Sequence, residues 1–276
     1  MSGRLAGTCT RLSRPTSVGN QNNDGSSMTT PRPNTRFLAS VRSVDEARMC
    51  AIAGADVIDC KEPDRGALGA LPHDVVRGIR KAVSADRLVS ATVGDLVPDP
   101  AVVVPAVDAM AATGVDYVKI GFFPGGHALA TIRALTPGTP HKARLVGLLL
   151  ADRQPDFSLI SAMAQAGFAG VMLDTADKTA GALSDVMPRV QLESFVAAAH
   201  RAGMFAGLAG SLRLAHIAQL LDLNPDLLGF RGALCRAGDR RGVLDRACVK
   251  AVRDAIPGAK SNGLNAGMTR LHEVLP

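Results

Sequence analysis

From residue 37 onward, apolar and polar positions alternate in blocks. Short runs rich in Val, Leu, Ile and Ala fall at 37–42, 55–60, 87–93, 115–121, 143–150, 168–173, 204–209 and 226–231. Longer stretches with helix-like periodicity lie at 44–54, 72–84, 99–113, 125–135, 156–167, 191–202, 211–222 and 243–255. The short runs have the length and composition of strands buried on both faces, and the longer ones read as amphipathic helices. The punctuation agrees. Ser43 precedes Val44-Asp45-Glu46 as an N-cap before a first turn carrying acids. Gly54, Gly114, Gly167 and Gly203 each close a helix before the next strand. Strands alternating with helices predict a parallel sheet, and eight of each predict a closed TIM (β/α)8 barrel. An open doubly wound sheet is the alternative.

Residues 1–35 lack this pattern. They are rich in Ser, Thr, Asn, Gly and Pro and are predicted to be a disordered N-terminal extension, with the barrel at 36–260 and a C-terminal tail at 261–276. The extension's Arg, Ser and Thr content faintly resembles a transit peptide; an over-long start, with translation beginning at Met28, explains it as well. The net charge of +6 is misleading about the barrel. Residues 1–36 hold five arginines against Asp24, which leaves only +2 for the other 240 residues.

Composition narrows the function classes. With eight Phe, one Tyr and no Trp, stacking platforms for single-stranded nucleic acid are excluded, and scattered N-terminal arginines make a weak nucleic-acid or membrane patch. The five cysteines (Cys9, Cys50, Cys60, Cys235 and Cys248) are odd in number and lack CxxC spacing. They fit a reduced cytoplasmic protein without a disulfide framework or structural zinc. No apolar stretch is long enough to span a membrane. His73, His127, His141, His200, His216 and His272 form no metal-like spacing, so neither metal nor cofactor is expected. Exteriors rich in Ala and Val favour a homo-oligomer.

The candidate chemistry lies in three lysines at apolar strand ends. Lys61 ends the second run, Lys119 lies inside the fourth and Lys178 follows the sixth. Lysine is rarely buried without a partner. Burial lowers its pKa and frees the amine for nucleophilic, Schiff-base chemistry. Residues two apart on a strand share a face, so Asp59 points with Lys61 while Cys60 points away. That pair reads equally as a proton shuttle for imine formation or as a local ion pair. Lys119 shares a face with Tyr117 and Gly121. Asp174 ends the sixth strand just before Lys178, so acid and amine recur at the mouth where barrel active sites lie. The seventh and eighth strands end in Gly210-Ser211 and Arg231-Gly232. These are the loops with which barrels often bind phosphate. The glycines permit close approach, Ser211 would cap the next helix, and Arg231 would be a charged clamp; ordinary turn chemistry is the bland alternative. Asp239, Arg240 and Arg241 could belong to the site or to the surface. Read alone, these residues fit a class I aldolase acting on a sugar phosphate, or a non-catalytic phosphometabolite-binding barrel.

Several stretches sharpen this picture: ADVIDCKEPDRGALGA at 55–70, LVSATVGD at 88–95, DYVKIG at 116–121, MLDTA at 172–176, LAGS at 208–211 and GFRGALCRAGDR at 229–240. In order and content they resemble the (5-formylfuran-3-yl)methyl phosphate synthase family over residues 37–255. The resemblance implies a barrel enzyme that condenses two molecules of glyceraldehyde 3-phosphate, a triose phosphate, with loss of phosphate and water. It implies Lys61 as the Schiff-base lysine, Lys119 as proton acceptor, and Asp59, Asp174 and Lys178 as further active-site residues. The family serves methanofuran biosynthesis in methanogens and a related one-carbon carrier in methylotrophy. Helices rich in Ala and Arg point to a methylotroph source. Residues 1–35 depart from the family pattern.

Overall fold

The computed structural model describes residues 35–135 and 143–257. The predicted N-terminal extension and C-terminal tail lie outside the described residues, apart from Thr35. The eight strands are β1 (Arg36–Val41), β2 (Val57–Cys60), β3 (Leu88–Thr92), β4 (Tyr117–Gly121), β5 (Arg144–Leu150), β6 (Gly170–Asp174), β7 (Phe205–Leu208) and β8 (Leu227–Phe230). They pair in parallel in sequence order, and β1 pairs β8 to close the barrel. The helices are α1 (Val44–Ile52), α2 (His73–Ala82), α3 (Pro100–Ala111), α4 (Ala128–Ala134), α5 (Leu159–Gln165), α6 (Leu183–Val186), α7 (Arg189–Arg201), α8 (Leu214–Leu221) and α9 (Arg246–Ala255).

Strand alternation sends side chains to two cores. One set faces the helices: Ile58, Cys60, Val89, Val118, Val171 and Leu228 pack there with helical residues such as Val76, Ile79, Phe195 and Val249. The other set fills the barrel: Leu38, Val57, Tyr117, Val146, Leu148 and Met172. Tyr117 meets Phe205 edge to face, with ring centroids 5.9 Å apart. This interior layer plugs the barrel from below, so polar residues further along the same strands face the opposite mouth.

The predicted helix punctuation holds where it is local. Ser43 Oγ accepts from the Glu46 amide at 3.2 Å. Gly54, Gly114, Gly167 and Gly203 all take the left-handed backbone that ends a helix, with φ between 74° and 89°. Other boundaries shift. The helix predicted at 211–222 begins only at Leu214, and Ser211 does not cap it. The helix predicted at 243–255 begins at Arg246, where the Asp245 carboxylate accepts from the Ala247 and Cys248 amides. In both cases the loop takes residues that the apolar period had claimed. The short helix α6 has no counterpart among the predicted elements.

The N-terminal face carries a repeated clasp. Asp56, Asp116 and Asp226 precede β2, β4 and β8, and each accepts the amide of a residue in the preceding or adjacent strand (Phe37, Val89 and Ala206) at 2.7–2.8 Å. Each is also paired to a basic side chain: Arg253 at 2.7 Å, Arg80 at 2.9 Å and His200 at 2.7 Å.

Candidate active site

The C-terminal mouth opens into a cavity of about 440 Å³ lined by Asp59, Lys61, Lys119, Asp174 and Lys178. Strand parity explains the gathering. Asp59 and Lys61 leave β2 on the inner face, Lys119 leaves β4 beside them, and Asp174 ends β6 opposite. Cys60 points outward into the helix-facing core, as its parity requires. Burial raises its thiol pKa above the usual range, which leaves it a packing residue.

The ion pairs cross the barrel. Lys119 Nζ lies 2.7 Å from Asp59 Oδ1, and both residues are almost fully buried. Ser90 Oγ donates to the same oxygen at 2.7 Å and Ser40 Oγ donates to Oδ2 at 2.9 Å. Lys61 Nζ donates to Asp174 Oδ2 at 2.9 Å. Lys178 Nζ donates to Asp174 Oδ1 at 2.5 Å and also to the Thr175 carbonyl. The local Asp59–Lys61 ion pair therefore gives way to two cross-strand pairings. Asp174 serves two amines and Asp59 serves one.

These contacts set the protonation balance. Burial pulls the Lys119 amine below its ordinary value; Asp59 opposes the shift and Lys61 adds to it. Lys178 is lowered by burial and by Lys61, against the opposing pull of Asp174. Burial alone would raise Asp174, but Lys178 and Lys61 outweigh it and hold the carboxyl well below the usual range. Asp174 thus stays ionised at neutral pH and orients amines. Two lysines of lowered pKa beside a third can attack a carbonyl and move protons next to it.

At the β7 end, Gly210 and Ser211 are both left-handed, with φ of 112° and 48°. A side chain at Gly210 would place its Cβ 2.8 Å from Thr175 Cγ2, so only glycine fits against the β6 loop there. The amides of Ser211, Leu212 and Gly232 donate to no acceptor among the described residues. Ser211 Oγ donates to the Lys178 carbonyl at 3.3 Å and so ties this turn to the β6 loop.

Arg231 lines the cavity as expected, but its guanidinium is engaged with the protein itself. All five of its donors are used: two on Glu46 at 2.6 and 3.2 Å, and one each on the carbonyls of Ser40, Arg240 and Gly242. Its side chain is 9% exposed, as is that of Glu46, so the pair is a buried strut. Arg240, left open between site and surface, lines the cavity, as do Arg213 and Ser40. Ser40 had a signal in the sequence: a lone hydroxyl at the parity of Leu38 inside an apolar strand. Arg213 had only its place two residues beyond Ser211. Among the described residues, no group of three or more His, Cys, Asp or Glu is placed to hold a metal ion.

Comparison with known proteins fits this geometry. The family model for 4-HFC-P synthase matches residues 37–253. The chain belongs to the 4-HFC-P synthase family. Within that family, a relative from Methylorubrum extorquens is 44% identical over 83% of this chain and 94% of its own length, and carries the name (5-formylfuran-3-yl)methyl phosphate synthase provisionally. Proteins named (5-formylfuran-3-yl)methyl phosphate synthase from Methanopyrus kandleri and Methanocaldococcus jannaschii are 36% and 33% identical, covering 80% and 79% of this chain and 98% of each relative. Among solved structures, a phosphoribosyl anthranilate isomerase from Thermotoga maritima aligns with a TM-score of 0.59 at 12% identity, over 82% of this chain and all of that one. That likeness concerns the fold alone. Membership makes the chain an enzyme of the synthase class. No helix among the described residues is long and apolar enough to cross a membrane.

Proposed function

We propose that this enzyme condenses two molecules of glyceraldehyde 3-phosphate into (5-formylfuran-3-yl)methyl phosphate through an imine on Lys61, to supply a methanofuran-type carrier. One observation carries the reading: Lys61 sits on the cavity floor, aimed by Asp174 at 2.9 Å, with the buried, pKa-lowered Lys119 among its neighbours. Lys178 shares Asp174 with Lys61, which brings the two amines to one carboxylate through which a proton can pass. Asp59 and the hydroxyls of Ser40 and Ser90 hold Lys119 in place as the base.

The product's connectivity orders the steps. Its formyl carbon and the two adjoining ring carbons form a three-carbon unit without phosphate; the other unit keeps its CH2–O–phosphate. The formyl unit ends as an aldehyde, so it is the triose held as the imine. Lys119 removes the C2 proton of that imine to give an enamine. The enamine expels phosphate from C3 with the C–O electron pair, leaving a conjugated iminium ion. C2 of the second triose, after losing its own proton, bonds to C3 of the first. Ring closure through the first triose's C2 oxygen, loss of water and hydrolysis of the imine release the furan. The net change is two triose phosphates to one furan phosphate, one inorganic phosphate and two waters. The phosphate retained by the second triose rests on the Ser211, Leu212 and Gly232 amides, an anion-binding arrangement of turn and glycine backbone.

The test is to incubate the enzyme with glyceraldehyde 3-phosphate and follow near-ultraviolet absorbance and phosphate together. One phosphate released per furan is expected. A non-absorbing aldol product, or full activity in Lys61→Arg, overturns the proposal.

A further inference from the structure

The reaction proposed above must hold two phosphates and release only one. The amides at the β7 and β8 ends provide one anion site. A second cationic feature stands apart from them. Arg240 lines the cavity and is half-buried, and no carboxylate pairs with it among the described residues. Arg213, also in the lining, has no carboxylate partner among the described residues either; the other cations of the mouth differ. Lys61 and Lys178 are paired to Asp174, Lys119 to Asp59, Arg231 to Glu46 and Arg241 to Asp64. The Arg240 guanidinium reaches from the β8 loop over β1 to the β2 side of the mouth, where it donates to the Gly66 carbonyl at 3.2 Å. Its charge couples to Asp174, the carboxylate that aims Lys61.

That reach is prepared by the rest of the fold. Arg231 donates to the Arg240 carbonyl at 2.9 Å and to the Gly242 carbonyl at 3.1 Å, fixing the loop on either side of Arg241. The Asp95 carboxylate accepts the Ala67 and Leu68 amides at 2.8 and 2.6 Å, which holds the loop carrying Gly66 from the other side. A half-buried guanidinium with free donors, lining the same cavity as the imine lysine, suits a phosphate dianion better than a solvated surface role.

We propose that Arg240 binds the phosphate of the triose held as an imine on Lys61 and stabilises that phosphate as it leaves, with Arg231 as the positioning residue behind it. As the C3–O bond breaks, its electron pair moves onto the bridging oxygen, and negative charge grows on the phosphate under the guanidinium. The C2 proton has already passed to Lys119, and the enamine electrons close the new C2=C3 bond.

This inference rests on the imine reading, and one experiment separates the two. Wild-type enzyme and Arg240→Met are each mixed with glyceraldehyde 3-phosphate, reduced with borohydride, and their intact masses compared. In the wild-type enzyme the trapped three-carbon adduct should largely lack phosphate, alongside a six-carbon adduct that carries only the second triose's phosphate. In Arg240→Met the imine should still form, but phosphate expulsion should slow by roughly 100-fold, so the three-carbon adduct accumulates with its phosphate still attached. Arg240→Lys, which keeps the charge without the planar fork, should fall between the two. Equal phosphorylated fractions of the three-carbon adduct in wild type and Arg240→Met overturn the role of Arg240 while leaving the imine standing. No adduct on the wild-type enzyme overturns the imine, and this inference with it.

Discussion

The two ends of this barrel use the same pairing for different ends. At the N-terminal face, Asp56, Asp116 and Asp226 each combine a strand amide with a basic side chain; at the C-terminal mouth, Asp59 and Asp174 pair with Lys119, Lys61 and Lys178. The lower carboxylates are 25–40% exposed and two of their partners are arginines, which do not deprotonate in proteins. The upper carboxylates are at most 5% exposed and every partner is a lysine. A buried ion pair is weak evidence for stability, because desolvation consumes much of the attraction. The lower clasps fasten strands cheaply at a wet edge. The upper pairs sit in a costlier environment, where burial lowers the pKa of Lys119 and Lys178.

The comparison breaks most visibly at Lys61. Lys61→Met should abolish furan formation while shifting the melting temperature by only a few degrees, because Asp174 keeps Lys178. Loss of stability equal to the loss of activity would make Lys61 a structural residue. Lys119→Met should behave differently. Activity should fall by about 100- to 10,000-fold, as expected for loss of a positioned base. Stability should also fall by about 3–5 kcal/mol, because Asp59 is left buried with only hydroxyl partners. Adding Asp59→Asn should recover much of that stability in denaturant titration and none of the activity.

pH separates the ends further. The Lys119 amine titrates below the ordinary lysine range, so kcat should rise with pH and level off at a midpoint below 10.5. The sign for stability follows from the same shift. Between its folded and unfolded pKa values the unfolded chain binds more protons, so the penalty from Lys119 is largest at low pH and fades as pH rises. Asp174 acts at the acid end. Its folded pKa is depressed, so its stabilisation is present above 3.8 and is lost as pH falls below that value.

Smaller effects belong to the lower face. Arg80→Met removes the partner of Asp116 and donors to the Arg87, Val83 and Ser84 carbonyls. It should cost about 2 kcal/mol by denaturant titration, with kcat and KM of the folded enzyme unchanged. His200→Gln should cost about 0.5 kcal/mol, because that pair is 40% exposed on both sides.

Much of the fold is legible in local pattern. The eight strand–helix units, the Ser43 cap and the four helix-ending glycines depend on neighbours in sequence, and all appear as the pattern requires. The site is legible in its membership and not in its wiring. Parity places Asp59, Lys61 and Lys119 on inward faces, yet it cannot show that Asp59 takes Lys119 and that Lys61 takes Asp174, 113 residues away. The partner of Arg231 is hidden for the same reason. Its partner Glu46 lies 185 residues earlier in a helix whose first turn reads simply as an acidic N-terminus. Ser211 follows a glycine at a strand end and looks like a cap, but the turn that carries it along the cavity rotates it into the left-handed region.

The central claim is that Lys61, alone among three buried lysines, forms the covalent bond. Borohydride reduction with glyceraldehyde 3-phosphate, followed by peptide mapping, addresses it directly. Substrate-dependent labelling on Lys61 alone is the predicted result. Labelling on Lys119 or Lys178, or none in enzyme that still makes the furan, would contradict it.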